Sequence, residues 1–295
     1  MNQRLLDRIS GLTRLSWDVL AQTSRHDLTG LSAEFAYYFL LSLFPMLLFI
    51  AALLSHLATV PQTLDAIFTA LGHLFPEELV LLFQRDIGKW VSSGSLTIFS
   101  LSLVLYALAG SRVFQVMLKA FNRIHPGMKQ RSGLRIRVVS LLMVLAAGGA
   151  LGGVLLLNLF GREFRAVIEL EAPRFARLFL AAYGEMLGTG MVLFLAAYAL
   201  YALIPAEHPR KRARAASSAF FAIALIIATG LLRTFTSRSP VLSLYGALGT
   251  AILTLVWLYA LGFVFFLGAE LNAVLLSRLH EGERAQREVK ELSRP

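Results

Sequence analysis

Residues 239–269 read SPVLSLYGALGTAILTLVWLYALGFVFFLGA and contain no Asp, Glu, Lys or Arg. A helix rises about 1.5 Å per residue, so roughly 20 apolar residues cross the hydrocarbon core of a bilayer. Only a helix satisfies its own backbone groups in lipid at these lengths. Five further stretches are also free of charge: 35–64, 90–111, 138–161, 186–206 and 215–232. The sequence therefore predicts an all-α integral membrane protein with a bundle of six transmembrane helices.

The composition supports this fold class. Hydrophobic residues make up 57% of the 295 residues and charged residues 16%, which is a low charge content for a soluble protein. Six spans leave little chain for a soluble domain, so we expect a single membrane domain over residues 1–295. The absence of cysteine excludes a disulfide framework and thiol chemistry.

The distribution of Lys and Arg predicts the orientation. The spans are expected near 35–59, 95–118, 138–160, 179–203, 215–235 and 247–277. The two termini and the loops 119–137 and 204–214 then hold 19 basic residues, whereas the opposite side of the membrane holds 8. The positive-inside rule therefore places both termini in the cytoplasm.

Segments outside the spans carry amphipathic patterns. The cytoplasmic N-terminal segment 1–34 has apolar residues at helical spacing, which predicts a helix in the membrane interface. The external loop at about 60–94 contains two further helical patterns, which predict either a shield over helix ends or a gate. The tail 278–295 is expected to be cytoplasmic. The basic loop 119–137 either maintains topology or attracts anionic head groups.

Proline and glycine mark special positions within the spans. Pro45 is expected to bend the first span, with Ser42 helping to satisfy the carbonyl group that Pro45 frees. Gly184 and Gly188 have the four-residue spacing that lets helices approach closely, as do two glycine pairs in the third span.

Five ionisable residues lie at membrane depth, where a charge facing lipid is costly. Arg112 is expected to pair with Glu34 or Glu270 in the cytoplasmic half, and Glu185 is expected to lie near Arg233 in the outer half. Gln115, Asn158 and Asn272 accompany these charges. Two interpretations remain open: ion pairs that fix helix register, or a polar cavity for a charged head group, an ion or a proton.

Several motifs resemble a known family. They are Ala36–Pro45 (AYYFLLSLFP), Tyr201–Pro205 (YALIP), Tyr245–Gly249 (YGALG), Trp257–Tyr259 (WLY) and Leu267–Leu271 (LGAEL). Their order resembles the YihY/BrkB family of bacterial inner-membrane proteins, historically labelled ribonuclease BN, over roughly residues 25–280. The resemblance implies a multi-pass protein of the bacterial inner membrane with cytoplasmic ends. Family members have been labelled ribonucleases and virulence factors, and some have been linked to envelope lipid handling.

The resemblance also marks individual positions: Tyr37, Ser42, Pro45, Pro205, Tyr245, Gly246, Gly249, Trp257, Gly268 and Glu270. Combined with the polar residues at membrane depth, it gives the candidate residues of a substrate path or buried polar site. These are Glu34, Tyr37, Tyr38, Ser42, Pro45, Arg112, Gln115, Asn158, Glu185, Arg233, Tyr245, Glu270 and Asn272.

No catalytic constellation stands out. The six histidines are scattered, and no phosphate-binding glycine loop or nucleophile elbow is present. We therefore expect no enzyme activity, including ribonuclease activity, and no catalytic residue, metal, cofactor or nucleic-acid partner. The expected function is a transporter, or a flippase- or scramblase-like carrier, of a lipid or other amphiphile in envelope biogenesis, with anionic head groups at the cytoplasmic face as partners. The alternatives are a scaffold or partner subunit of an envelope assembly, and a small-solute or ion channel.

Overall fold

The computed structural model describes residues 17, 19, 21–55, 81, 96–125, 133–147, 174–205, 211–238 and 241–292. Nearly all of these residues are helical, and none forms a strand, so the all-α prediction is confirmed for this part of the chain. The long helices are α1 (Leu28–Ser55), α2 (Leu96–Ile124), α3 (133–147), α4 (Arg174–Leu203), α5 (Lys211–Arg238) and α6 (Val241–Leu292). Apart from Leu81, the predicted external loop at 60–94 lies outside the described residues.

Three segments are long and apolar enough to cross a membrane: Phe99–Ile124, Lys211–Thr236 and Ala251–Ser277. Shorter apolar stretches cover Leu28–Leu43 and Gly188–Leu203. The prediction of a membrane protein is therefore confirmed, whereas the number of six spans stays a prediction. Large apolar side chains also cover the outside of these helices, for example Leu108 on α2, Ile227 on α5 and Ile252 on α6. Such exposed apolar faces fit a lipid environment.

Neighbouring helices of the bundle run antiparallel to each other in the pairs α1–α2 and α5–α6. Near one end, α1 and α2 are joined by Glu34 and Lys119, and further along they are joined by Phe49 and Phe99. These contacts make the two helices antiparallel. The α5–α6 pair is also antiparallel, and Trp257 Nε1 donates a hydrogen bond of 3.2 Å to Thr229 Oγ1 between its two helices. α6 contacts α1, α2 and α5, so it holds the bundle together.

A tight turn leads into α1. Asp27 has a left-handed backbone (φ 54°), which is uncommon for a residue other than glycine. The carboxylate of Asp27 accepts a hydrogen bond of 3.2 Å from the backbone N–H of Gly30, as a helix-capping residue does. Just before it, the N–H of His26 bonds to the carbonyl of Gln22, at the end of the preceding helical segment. The turn thereby places the His26 side chain beside the bundle.

α1 continues through Pro45 to Ser55. The Ser42 hydroxyl donates to the carbonyl of Phe39 at 2.8 Å. The predicted role of Ser42 is thus wrong in detail, since the carbonyl four residues before Pro45 belongs to Leu41. A hydroxyl of this kind commonly bonds three or four residues back along its own helix.

Of the glycines whose spacing predicts close helix contacts, the structure describes the surroundings of Gly188, and the others lie outside that description. A Cβ atom added to Gly188 would meet nothing within 4 Å, so the predicted tight packing is wrong at this residue. At Gly262 the added atom would lie 2.7 Å from the ring of Phe35, and at Gly268 it would collide with the hydroxyl of Tyr201. Close packing therefore involves α6, at the points where it meets α1 and α4.

Candidate functional site

A buried carboxylate lies at the end of the bundle where α1 begins. Glu270 is fully buried (0% exposed) within α6. The Nδ1 atom of His26 donates to Oε2 of Glu270 at 2.8 Å. The other carboxylate oxygen, Oε1, has no hydrogen-bond partner in the part of the chain that the structure describes. Since buried polar atoms are nearly always hydrogen-bonded, this oxygen retains a free capacity to bind.

A second histidine belongs to the same site. His125 directly follows α2, and its ring stacks on that of Phe121 with the centroids 5.8 Å apart. Both ring nitrogens are buried, and neither has a hydrogen-bond partner among the described residues. Burial lowers the pKa of His125; the backbone carbonyl of Phe121 opposes this in part, and an electrostatic interaction with His26 adds to the lowering. We call His26, His125 and Glu270 the Glu270 site.

The lowered pKa of His125 predicts a pH-dependent stability. Unfolded His125 takes up a proton near pH 6.5, whereas the folded ring resists protonation. The free energy of unfolding should thus be unaffected by His125 above pH 6.5 and should fall as the pH drops below it, by at most about 1.4 kcal/mol per pH unit. Thermal unfolding in detergent between pH 7.5 and 5.5 measures this loss. A His125→Phe variant keeps a ring against Phe121 and should show a smaller loss; an unchanged pH dependence would contradict the prediction.

An aromatic layer closes the Glu270 site on the side of the bundle interior. Phe121 lies 6.0 Å from Tyr201 and 6.1 Å from Phe265, between ring centroids. Phe35 and Phe266 continue the layer with an edge contact at 5.9 Å. All five side chains are buried. The polar groups at the end of the bundle are therefore separated from its apolar centre by packed rings.

The predicted pairing of Arg112 is wrong. Glu34 accepts a hydrogen bond of 2.7 Å from Lys119, and Glu270 accepts from His26. Arg112 lies on an exposed face of α2, where its Nη1 atom is 3.4 Å from Oε1 of Gln115. Sequence position gives the depth of a side chain in the membrane, but the direction in which the helix turns it depends on packing. Arg112 lies outside the Glu270 site for this reason.

The other predicted residues are dispersed. Tyr37 is exposed, Tyr38 is half-buried, Ser42 is buried, and Pro45 is half-buried in α1. Arg233 is exposed near the end of α5. Asn158 and the side chains of Glu185 and Tyr245 lie outside the described residues. Of the thirteen candidates, Glu270 is the one that forms part of the site with His26 and His125. Asn272, two residues later, lies on a different face of α6.

His26 and His125 are absent from the thirteen candidates, because the spacing of the histidines along the chain does not mark them. A better signal was available: His26 precedes the first span, His125 follows the second, and Glu270 lies late in the sixth. The predicted topology brings these three positions to the same end of the bundle. Within the described ranges, no group of three His, Asp or Glu side chains could hold a metal ion.

Comparison with known proteins decides the family. The family model described as "Virulence factor BrkB" matches residues 19–293, which is most of the chain. The chain belongs to the BrkB family. This membership confirms the resemblance seen in the motifs from Ala36–Pro45 to Leu267–Leu271, and together with the apolar helices it makes the chain an integral membrane protein.

The chain is also similar to a known protein along most of its length. YfkH of Bacillus subtilis (strain 168), which is named as a ribonuclease-like protein, is 25% identical over 264 residues. The aligned region covers 88% of this chain and 94% of YfkH. No solved structure matches the chain.

Proposed function

We propose that this BrkB family protein is a carrier of a lipid or other amphiphile, and that the Glu270 site holds the polar head of the carried molecule. The buried Glu270 supports this most directly. Ionisable groups at membrane depth are costly and are typically functional. Within the described residues, one oxygen of Glu270 bonds to His26 and the other has no partner, so it can accept a hydrogen bond from a head group.

The surroundings of Glu270 also suit an amphiphile. The Glu270 site lies at one end of the bundle, and apolar side chains cover the outside of α2, α5 and α6. A head group bound there would leave its chains in the bilayer. The aromatic layer then serves as the barrier that has to open for movement across the membrane. Because the basic residues favour this end for the cytoplasm, we propose that the site faces the cytoplasmic side of the bacterial inner membrane.

Ribonuclease activity is the competing function, since YfkH is named as ribonuclease-like. Two histidines and a carboxylate could in principle transfer protons. A general base, however, has to come within about 3 Å of its substrate, and both Glu270 and the ring nitrogens of His125 are buried. Either ligand therefore requires the helix ends to open, and a single head group needs a smaller opening than an RNA chain. We therefore favour the carrier and propose that the protein is not an enzyme.

A flux assay tests the carrier function. Purified protein is reconstituted into liposomes, and the movement of a labelled lipid between leaflets is compared with that in empty liposomes. We expect Glu270→Gln to slow this movement at least tenfold. A charge-assisted hydrogen bond contributes about 1.5–3 kcal/mol, and a tenfold change corresponds to about 1.4 kcal/mol. Gln has nearly the same shape, so the fold should be kept.

Glu34→Gln provides the matched control, since it makes the same chemical change in the partly exposed pair with Lys119. We expect less than a twofold effect from it. Wild-type protein that moves no labelled lipid faster than empty liposomes would exclude the proposed function. RNA cleavage by the same preparation, lost in a His26→Gln variant, would favour the ribonuclease instead.

A further inference from the structure

A second group of polar side chains lies on the other side of α6, where the half-buried Arg214 contacts α4. Arg214 is in the first turn of α5. Its Nη2 atom donates to the hydroxyl of Tyr198 at 2.8 Å, and its guanidinium carbon lies 4.2 Å from the centre of that ring. Among the described residues, no carboxylate pairs with Arg214. A positive charge is thus held against an aromatic ring, with no balancing carboxylate in the part of the chain that the structure describes.

Several polar atoms nearby have no hydrogen-bond partner in the described part of the chain. They are Nε of Arg214, Oγ of Ser217, and both Nδ2 and Oδ1 of Asn272. Ser217 is fully buried and Asn272 is 2% exposed. An unpaired buried polar group typically costs about 1–3 kcal/mol, so a ligand that supplies hydrogen-bonding atoms here would be stabilised.

Helix register brings these atoms to one interface. The carbonyl oxygen of Ser217 lies 3.4 Å from the position of a Cβ atom on Gly268, which places Ser217 against α6. Asn272 comes one turn after Gly268, on the same face of α6. Because α5 runs antiparallel to α6, the step from Gly268 to Asn272 on α6 corresponds to the step from Ser217 back to Arg214 on α5. Asn272 is therefore turned towards the first turn of α5.

The free groups are mainly hydrogen-bond donors. The first backbone N–H groups of a helix have no acceptor within it, and the N-terminal end carries a partial positive charge. Arg guanidinium groups match the oxygen geometry of phosphate. Arg214, Ser217, Asn272 and the N-terminus of α5 together form what we call the Arg214 site. Its chemistry favours an anion with several acceptor oxygens.

We infer that the Arg214 site binds a phosphate group, carried by an anionic lipid or present as free phosphate. That this phosphate belongs to the carried molecule rests on the proposed function. The binding site itself does not depend on transport. Arg214, which the sequence presents simply as one more basic residue of a positive loop, thereby has a role in recognising the head group.

The test measures binding to the full-length protein in neutral detergent. Three additives are titrated: phosphatidylglycerol, diacylglycerol with the same chains, and inorganic phosphate. We expect phosphatidylglycerol to bind saturably and at least tenfold more tightly than diacylglycerol, which lacks the phosphate. If inorganic phosphate displaces it, the site accepts either source; if phosphate has no effect while Arg214 is still required, the source is the lipid.

Matched variants locate the binding. Arg214→Gln should weaken phosphatidylglycerol binding at least tenfold, whereas Arg212→Gln, the same change at an exposed position of the same turn, should change it less than twofold. Should Arg214→Gln fail to fold, Ser217→Ala removes one donor from the site and should weaken binding two- to fivefold. Equal effects of the two arginine variants, or equal binding of both lipids, would overturn the inference.

Binding and flux separate the two proposals. Suppose that Arg214→Gln and Arg212→Gln bind phosphatidylglycerol equally, while the protein still moves labelled lipid. The Arg214 site would then be excluded, and the carrier function would be supported. If instead binding is tight and depends on Arg214, but the protein moves no lipid, the Arg214 site would be supported and the carrier function excluded.

Discussion

A His26→Ala variant is expected to unfold far more easily than the wild-type protein, with a loss of about 3 kcal/mol in the free energy of unfolding. Removing the partner of a buried polar group typically costs about 1–3 kcal/mol, and more when that group is charged, because it stays buried without a hydrogen bond. The upper part of this range applies, because Glu270 is fully buried, although the His26 side chain is 20% exposed. Without His26, neither oxygen of Glu270 has a hydrogen-bond partner among the described residues. Chemical unfolding in detergent measures the loss.

Lys119→Ala is the control for this prediction. The Lys119–Glu34 pair has an almost equal length, 2.7 Å against 2.8 Å, but its side chains are 47% and 35% exposed. Exposed pairs contribute about 0–1 kcal/mol. A double variant, His26→Ala with Glu270→Leu, should be more stable than His26→Ala alone, because the uncompensated carboxylate is gone. Equal losses of stability in His26→Ala and Lys119→Ala would show that the burial of Glu270 does not determine how much its contact with His26 contributes.

Much of the fold follows from the absence of charge in long stretches of the chain. The predicted span 95–118 corresponds to α2 at Leu96–Ile124, and 215–235 corresponds to α5 at Lys211–Arg238. The helices extend beyond the predicted spans, because a helix can continue into the interface, where Lys and Arg side chains reach water. Hydropathy marks the part of a helix that fits the hydrocarbon, and the helix ends depend on local capping such as that by Asp27.

The candidate site was harder to predict, because it depends on the rotation of each helix. The sequence placed Glu270 and Arg112 at a similar depth, yet packing buries Glu270 and exposes Arg112. Two residues of α6 illustrate the difficulty. Gly268 meets Tyr201 and Ser217, whereas Glu270, two positions later, faces His26. A shift of two positions turns a helical side chain by about 200°, so contacts between helices decide which charges meet.

The contact between α4 and α6 at Tyr201 is predicted to make the second large contribution to stability. This side chain is fully buried, stacks on Phe265 with the ring centroids 4.9 Å apart, and donates to the carbonyl of Phe265 at 2.8 Å. Tyr201→Ala should lower the free energy of unfolding by about 3–5 kcal/mol, as truncation of large buried aromatic residues does. Chemical unfolding in the same detergent measures this loss.

Tyr201→Phe separates the two contributions of this side chain. It keeps the ring and removes the hydroxyl, so it should cost about 1 kcal/mol, the typical net value of one hydrogen bond. The hydroxyl also rests against Gly268. Because the ring is fully buried and stacks on Phe265, we expect the stability of this junction to depend on packing more than on the hydrogen bond. A Phe variant as unstable as the Ala variant would reverse that order and make the hydroxyl the main link between the two helices.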